Sequence, residues 1–92
     1  MGHIARDKTK LLNRVKRIRG QVEAVERALE GEYECTEVLQ LIAAIRGATN
    51  GLMAEVIEDH IREHVASPAI ASVAERMKGA DELVEVIRTY LK

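Results

Sequence analysis

Four side chains in this sequence are suited to binding a transition-metal ion: His3, Cys35, His60 and His64. His60 and His64 stand one helical turn apart, so on a helix both imidazoles project to the same side and can grip one ion. Cys35, the lone cysteine, is the natural soft third ligand. Yet 25 residues separate Cys35 from His60. At about 1.5 Å per residue they span roughly 37 Å of helix, too far for one straight helix to share an ion between them. A second copy running antiparallel, with its two-fold near Gly47 and Ala48, places Cys35 of one chain opposite His60 of the other. The ligand spacing therefore predicts an oligomer. A single histidine on an apolar face is usually a packed core residue; here the weight comes from three histidines and the only cysteine converging. No nucleophile–base–orienter set and no phosphate-cradling glycine loop accompanies them, and an enzyme is not expected.

The elements that must position these residues are helical. Val38, Ile42, Ile45, Thr49, Leu52 and Val56 recur at spacings of four and three, predicting a helix from Cys35 to about Val65 with His60 and His64 in its apolar arc. Arg46 falls in that arc too, where a charge needs a partner or must snorkel outward. Gly47, Ala48 and Gly51 permit close helix approach. A preceding helix runs from an N-cap at Asp7 to about Glu30, with Leu11, Val15, Ile18, Val22, Val25 and Leu29 forming a coiled-coil seam. Gly31 reads as its C-cap, and Gly31-Glu-Tyr-Glu is short enough to make the two helices an antiparallel hairpin. That hairpin returns His3 toward His60 and His64. Cys35 lies in the first turn of its helix, where the positive end of the dipole suits a thiolate ligand. Ser67 and Pro68 read as N-cap and first residue of a third helix reaching about Lys78. Gly79 reads as a break or kink, and Asp81 as the cap of a last stretch, Glu82 to Leu91, with Leu83, Val84, Ile87, Tyr90 and Leu91 on its apolar face. The expectation is an all-α, three-helix protomer in a single domain, residues 1–92.

Composition agrees with shared helical cores. Hydrophobic residues make up 47% of the chain, with no Trp or Phe and only Tyr33 and Tyr90 as aromatics. One cysteine rules out an intrachain disulfide and fits a reducing compartment. Without a membrane-length apolar run or a signal peptide, a cytoplasmic protein is expected. Net charge is -1, but it is unevenly spread. Residues 1–19 hold seven basic side chains against Asp7, a balance of +6, and the remainder holds seven basic and fourteen acidic ones, -7. Arg6, Lys10, Arg14 and Arg17 share one flank of the first helix, a candidate surface for DNA phosphates. Glu23, Glu26 and Glu30 then reverse the sign and confine the basic flank to one end.

The stretches Arg14-Val-Lys-Arg-Ile-Arg-Gly-Gln-Val22 and Leu39-Gln-Leu-Ile-Ala-Ala-Ile-Arg-Gly-Ala-Thr-Asn-Gly-Leu-Met53, with a cysteine heading the second helix, carry a resemblance. The chain resembles the CsoR/RcnR family of all-helical bacterial repressors over essentially its full length. The resemblance implies a homotetramer, a dimer of dimers, whose basic first helices grip operator DNA without a helix-turn-helix. An effector at the cysteine site then releases the DNA. Copper sensors of this family have a second cysteine where this chain has His64, and persulfide sensors need two cysteines. Formaldehyde sensors begin with proline after the initiator Met, where this chain has Gly2. Nickel and cobalt sensors carry His, Cys, His and His at the places of His3, Cys35, His60 and His64. The resemblance therefore implies a repressor released by Ni(II) or Co(II), with Zn(II) left open and the Gly2 amine, Glu34 or Glu63 as additional ligands. The rival readings are a formaldehyde-responsive repressor of the same fold and a metal-binding helical oligomer that never touches DNA.

Overall fold

The structure, a computed structural model, describes residues 8–91. They form α1 (Lys8–Glu30), α2 (Cys35–His64) and α3 (Val73–Tyr90), with no strand among the described residues. The expected caps at Asp7 and the position of His3 lie outside the described residues. The described chain divides into two compact units, one up to Ala54 and one from Glu55 onward.

In the first unit, α1 and the adjoining part of α2 are joined through residues 31–34, as the short connection requires. Gly31 closes α1 by donating its N–H to the Arg27 carbonyl at 3.2 Å. It does so without a left-handed backbone, since no described glycine has positive φ. The expected cap is therefore in place, but it is an ordinary helical hydrogen bond. α2 starts with the Val38 N–H donating to the Glu34 carbonyl at 3.2 Å.

The predicted seam of α1 splits in two. Leu11 is buried and Ile18 and Val25 are half-buried, whereas Val15, Val22 and Leu29 are exposed. Each set repeats every seven residues, and the two are offset by roughly 40° around the helix at 100° per residue. One neighbouring helix covers one set and leaves the other open. α2 behaves alike: Val38 is buried and Leu41, Ile45 and Ala48 are half-buried, while Leu39, Ile42, Arg46 and Thr49 face outward. The Thr49 hydroxyl satisfies itself on the Ile45 carbonyl at 2.7 Å. Among the described residues the buried hydrophobic side chains are Leu11 and Val38 alone.

In the second unit the sequence expectation for the third helix is corrected. Val65 and Ala66 both donate to the Ile61 carbonyl, at 3.0 and 2.7 Å, and this ends α2. Ser67 and Pro68 then begin a turn, not a helix: Ile70 N–H donates to the Ser67 carbonyl at 3.2 Å and Ala69 N–H to the Ser67 hydroxyl at 3.2 Å. A proline's fixed φ suits the second position of a turn as well as the first of a helix. The true N-cap is Ser72, in extended backbone, whose hydroxyl accepts from Glu75 N–H at 3.0 Å. Ser72-Val-Ala-Glu75 has the spacing of a capping box, a signal the sequence carries. α3 then runs unbroken through Gly79 to Tyr90, so Gly79 is not a break and Asp81 caps nothing.

Candidate metal centre and nucleic-acid face

His60 and His64 occupy the last turns of α2, and their ring centroids lie 4.8 Å apart with the planes inclined by 35°. Both are half-buried. His60 Nε2 sits 2.8 Å from the Gly79 carbonyl oxygen of α3. A carbonyl oxygen only accepts, so Nε2 carries the proton and donates. The lone pair of the neutral ring is therefore on Nδ1. This is the arrangement common around metal-binding histidines, where the far ring nitrogen is tied to a backbone carbonyl.

The contact is close because of Gly79. It is buried, and a Cβ built on it would fall inside van der Waals distance of the His64 carbonyl oxygen, with the His64 carbonyl carbon at 2.8 Å. Only glycine lets the α3 backbone lie on the last turn of α2. The expectation of a broken helix at Gly79 fails for this reason: the missing side chain serves close packing, at a helix-propensity cost of about 1 kcal/mol. Arg76, one turn earlier, donates to the Val65 and Ile70 carbonyls, each at 3.0 Å.

Asp59, which the sequence reasoning passed over, is 5% exposed. It stands seven residues after Leu52 and three after Val56, on the face those residues define. Its Oδ1 lies 3.9 Å from Arg62, which also pairs at 3.9 Å with the exposed Glu58. Its Oδ2 has no hydrogen-bond partner in the protomer among the described residues. Beside His64 a cleft of about 380 Å³ opens toward solvent, edged by Glu63, Glu75, Glu82 and Lys78. Three carboxylates against one ammonium make that edge attractive to cations.

Cys35 is a free, exposed thiol at the first residue of α2. His3 lies outside the described residues. Among the described residues of one protomer, no three His, Cys, Asp or Glu side chains come close enough to hold an ion. One chain thus brings together the His60–His64 pair. The donor chemistry nevertheless fits a divalent transition metal: two imidazoles one turn apart, with His60 Nδ1 unengaged by the contact to Gly79, and a solvent-accessible thiol.

On α1, Lys10 and Arg17 are exposed. Arg14 is half-buried, and one of its guanidinium nitrogens lies 3.0 Å from where a Cβ on Gly51 would stand. It follows Leu11 by three residues, so it leans toward α2 while remaining on the same flank as Lys10 and Arg17. Gly51 thus lets the guanidinium come close to α2; a Cβ there would make it give way slightly. Among the described residues no helix is long and apolar enough to cross a membrane.

Comparison with known proteins gives a consistent picture. The family described as metal-sensitive transcriptional repressor matches residues 7–89. A Serratia marcescens protein, described as an uncharacterized protein in the bioA 5' region, is 55% identical over 92 residues, the whole of both chains. The transcriptional repressor RcnR of Salmonella paratyphi B (strain ATCC BAA-1250 / SPB7) is 46% identical, again over 92 residues and the whole of both. Among solved structures, a glutamate-to-histidine variant of the formaldehyde-responsive regulator FrmR from Salmonella enterica serovar Typhimurium superposes with a TM-score of 0.85. It is 46% identical and the match covers 96% of this chain and 98% of that one. The three-helix protomer is thus the fold of that relative. The chain belongs to the family of metal-sensitive transcriptional repressors, the CsoR/RcnR group, whose members are regulators and not enzymes.

Proposed function

We propose that this protein is a cytoplasmic repressor that holds operator DNA in its metal-free form and releases it on binding Ni(II) or Co(II). The observation that carries the reading is the His60–His64 pair, one turn apart at 4.8 Å between ring centroids. A nitrogen-rich site with one thiolate suits these borderline ions, and Zn(II) is the competitor to test against them. Each site takes Cys35 from one protomer and His3, His60 and His64 from its neighbour in an antiparallel pair. Two such pairs form the tetramer. When bound, the metal supplies strong, directional bonds that tie the segment bearing His3 to the end of α2. Lys10, Arg14 and Arg17 contact DNA phosphates, and tying down the segment that precedes them withdraws that flank. Binding of metal and of DNA is then coupled through two states of different affinity for each.

A second reading has a specific observation behind it. FrmR is formaldehyde-responsive, and its variant is as similar to this chain as RcnR is, at 46% identity in both comparisons. Gly2, where formaldehyde sensors carry proline, counts against a formaldehyde response. One experiment separates the readings: release of operator DNA measured in parallel against Ni(II), Co(II), Zn(II), Cu(I) and formaldehyde. Release by Ni(II) or Co(II) at lower free concentration than Zn(II), with formaldehyde inert, supports the first. Release by formaldehyde alone overturns it. Failure to bind genomic DNA fragments at low salt would favour a metal-binding oligomer without a DNA role.

A further inference from the structure

The end of α2 poses a problem that α3 solves. The last carbonyls of a helix have no partner within it, and a histidine pair on that final turn inherits any fraying. Val65 and Ala66 both donate to the Ile61 carbonyl, and the Val65 carbonyl belongs to the first residue past α2. Arg76 meets it. One guanidinium nitrogen donates to the Val65 carbonyl and the other to the Ile70 carbonyl, both at 3.0 Å and partly buried. Its planar fork therefore joins the end of α2 to the far side of the turn at Ser67–Ile70, and a cation at a helix C-terminus is favourable in itself. Arg76 and Gly79 stand three residues apart, on neighbouring positions of one helix face. Through Gly79 that same face receives the His60 Nε2–H at 2.8 Å and lies against the His64 backbone.

We propose that Arg76 is a positioning residue for the histidine pair: by fixing the end of α2 against α3 it keeps Gly79 under His60, which holds the His60 ring in the Nε2–H form with Nδ1 free. The hydrogen bonds of Arg76 go to backbone carbonyls, those of Val65 and Ile70. Arg76 acts through the Gly79 carbonyl, which sets the tautomer and the ring orientation. The consequence for metal binding rests on the reading of His60 as a ligand; the consequence for the tautomer does not.

The test uses the full-length protein and its Arg76→Gln and Arg76→Lys variants. Lysine keeps the charge and loses the two-pronged geometry. Nitrogen-15 NMR of the metal-free protein reads the His60 tautomer, and titration with Co(II) reads affinity together with the ligand-field spectrum. Wild type is expected to show the Nε2–H tautomer. Both variants, helical by circular dichroism, are expected to lose its uniform population and to bind Co(II) about tenfold more weakly, the scale for loss of an outer-sphere partner. Their Co(II) spectra should shift as well, which a loss of stability alone would not produce. Folded variants with wild-type tautomer and affinity overturn the proposal, as does full rescue by lysine, which would reduce Arg76 to a charge. If neither variant folds, the wild type still decides, since an Nδ1–H tautomer at His60 refutes the positioning outright. A wild type that binds no Co(II) while its His60 tautomer responds to Arg76 overturns the metal reading and supports the positioning.

Discussion

Gly79→Ala is the sharpest test of how the end of α2 is held. On helix propensity alone the change stabilises, by about 1 kcal/mol. Against that, the added Cβ would collide with the His64 carbonyl group, whose carbon stands 2.8 Å away, and would meet the His64 Cβ at 3.0 Å. The obstacle is backbone, which cannot swing aside as a flexible side chain does. α3 must back off, at an overpacking cost of about 1–3 kcal/mol. Backing off also stretches the His60–Gly79 hydrogen bond from 2.8 Å, a loss of about 1 kcal/mol. The net expectation is destabilisation by about 1–3 kcal/mol, or roughly 5–20 °C in Tm for a domain of this size. Gly20→Ala supplies the control: nothing lies within 4 Å of its added Cβ in the protomer, so it should gain about 0.5–1 kcal/mol. Thermal unfolding followed by far-UV circular dichroism, at one fixed concentration because self-association makes Tm depend on concentration, should move the two variants in opposite directions. A Gly79→Ala protein that gains as much as Gly20→Ala would refute the close packing of α3 on His64.

Other expectations follow from the same geometry. Lys10→Ala and Arg17→Ala should each weaken operator binding and lower the slope of log affinity against log salt by about one per lost phosphate contact, with Co(II) affinity unchanged; an unaltered slope in both moves the DNA face elsewhere. Val22→Glu places a charge on an exposed apolar set of α1 and should shift the protein toward smaller species in solution scattering, whereas a wild type already monomeric at micromolar concentration would refute the oligomer. Cys35→Ala and His60→Ala should each abolish metal-dependent release while preserving repression. Mixing the two should restore part of the metal binding, because one interface in the hybrid keeps its full ligand set; no recovery in subunits shown to exchange would mean the ligands come from one chain.

How much of this was legible in sequence depended on the range of the interactions involved. The end of α1 at Glu30 and the head of α2 at Cys35 were readable because a short glycine-led connection and strong flanking periodicity are local signals. The start of α3 was misread because Ser67-Pro68 satisfies a turn and a helix start equally well, and Ser72 with Glu75 settled the matter five residues later. Gly79 looked like a break because its propensity cost is visible in sequence and its packing partner, His64, is not. The His60–His64 pairing came from spacing alone. Which His60 nitrogen is free did not, since the deciding acceptor lies 19 residues on. Asp59 shows the same limit: its register put it on the inward face, but nothing local said that a carboxylate would be buried there with one oxygen unsatisfied.

On the proposed function, the exposed stripes would connect assembly to sensing. On α2 the outward positions Cys35, Leu39, Ile42, Arg46 and Thr49 alternate at four and three, and Leu39 is 65% exposed. The same sequence spacing continues through Met53 and Val56 to His60. One proposed ligand, Cys35, thus heads the stripe and another, His60, follows at its far end, with the apolar residues between them. Covering Leu39 and Ile42 with an antiparallel copy of the same stripe removes apolar surface from water at roughly 25 cal/mol per Å². That pairing also sets the thiol of one copy against the imidazoles of the other. Arg46, in the middle, disfavours a parallel pairing in register, which would stack two guanidinium groups of like charge. An antiparallel two-fold near Gly47 and Ala48 brings the backbones close where side chains are small, and leaves the charge room to reach past the neighbour. In the proposed antiparallel pair, the residues that assemble the protein are the ones that complete its metal site. A substitution that separates the copies should abolish metal binding even when every ligand is intact, and Ile42→Glu, two helical turns from Cys35 and farther still from His60, is the variant that would show it. Retention of wild-type Co(II) affinity in a dissociated Ile42→Glu protein would sever assembly from sensing.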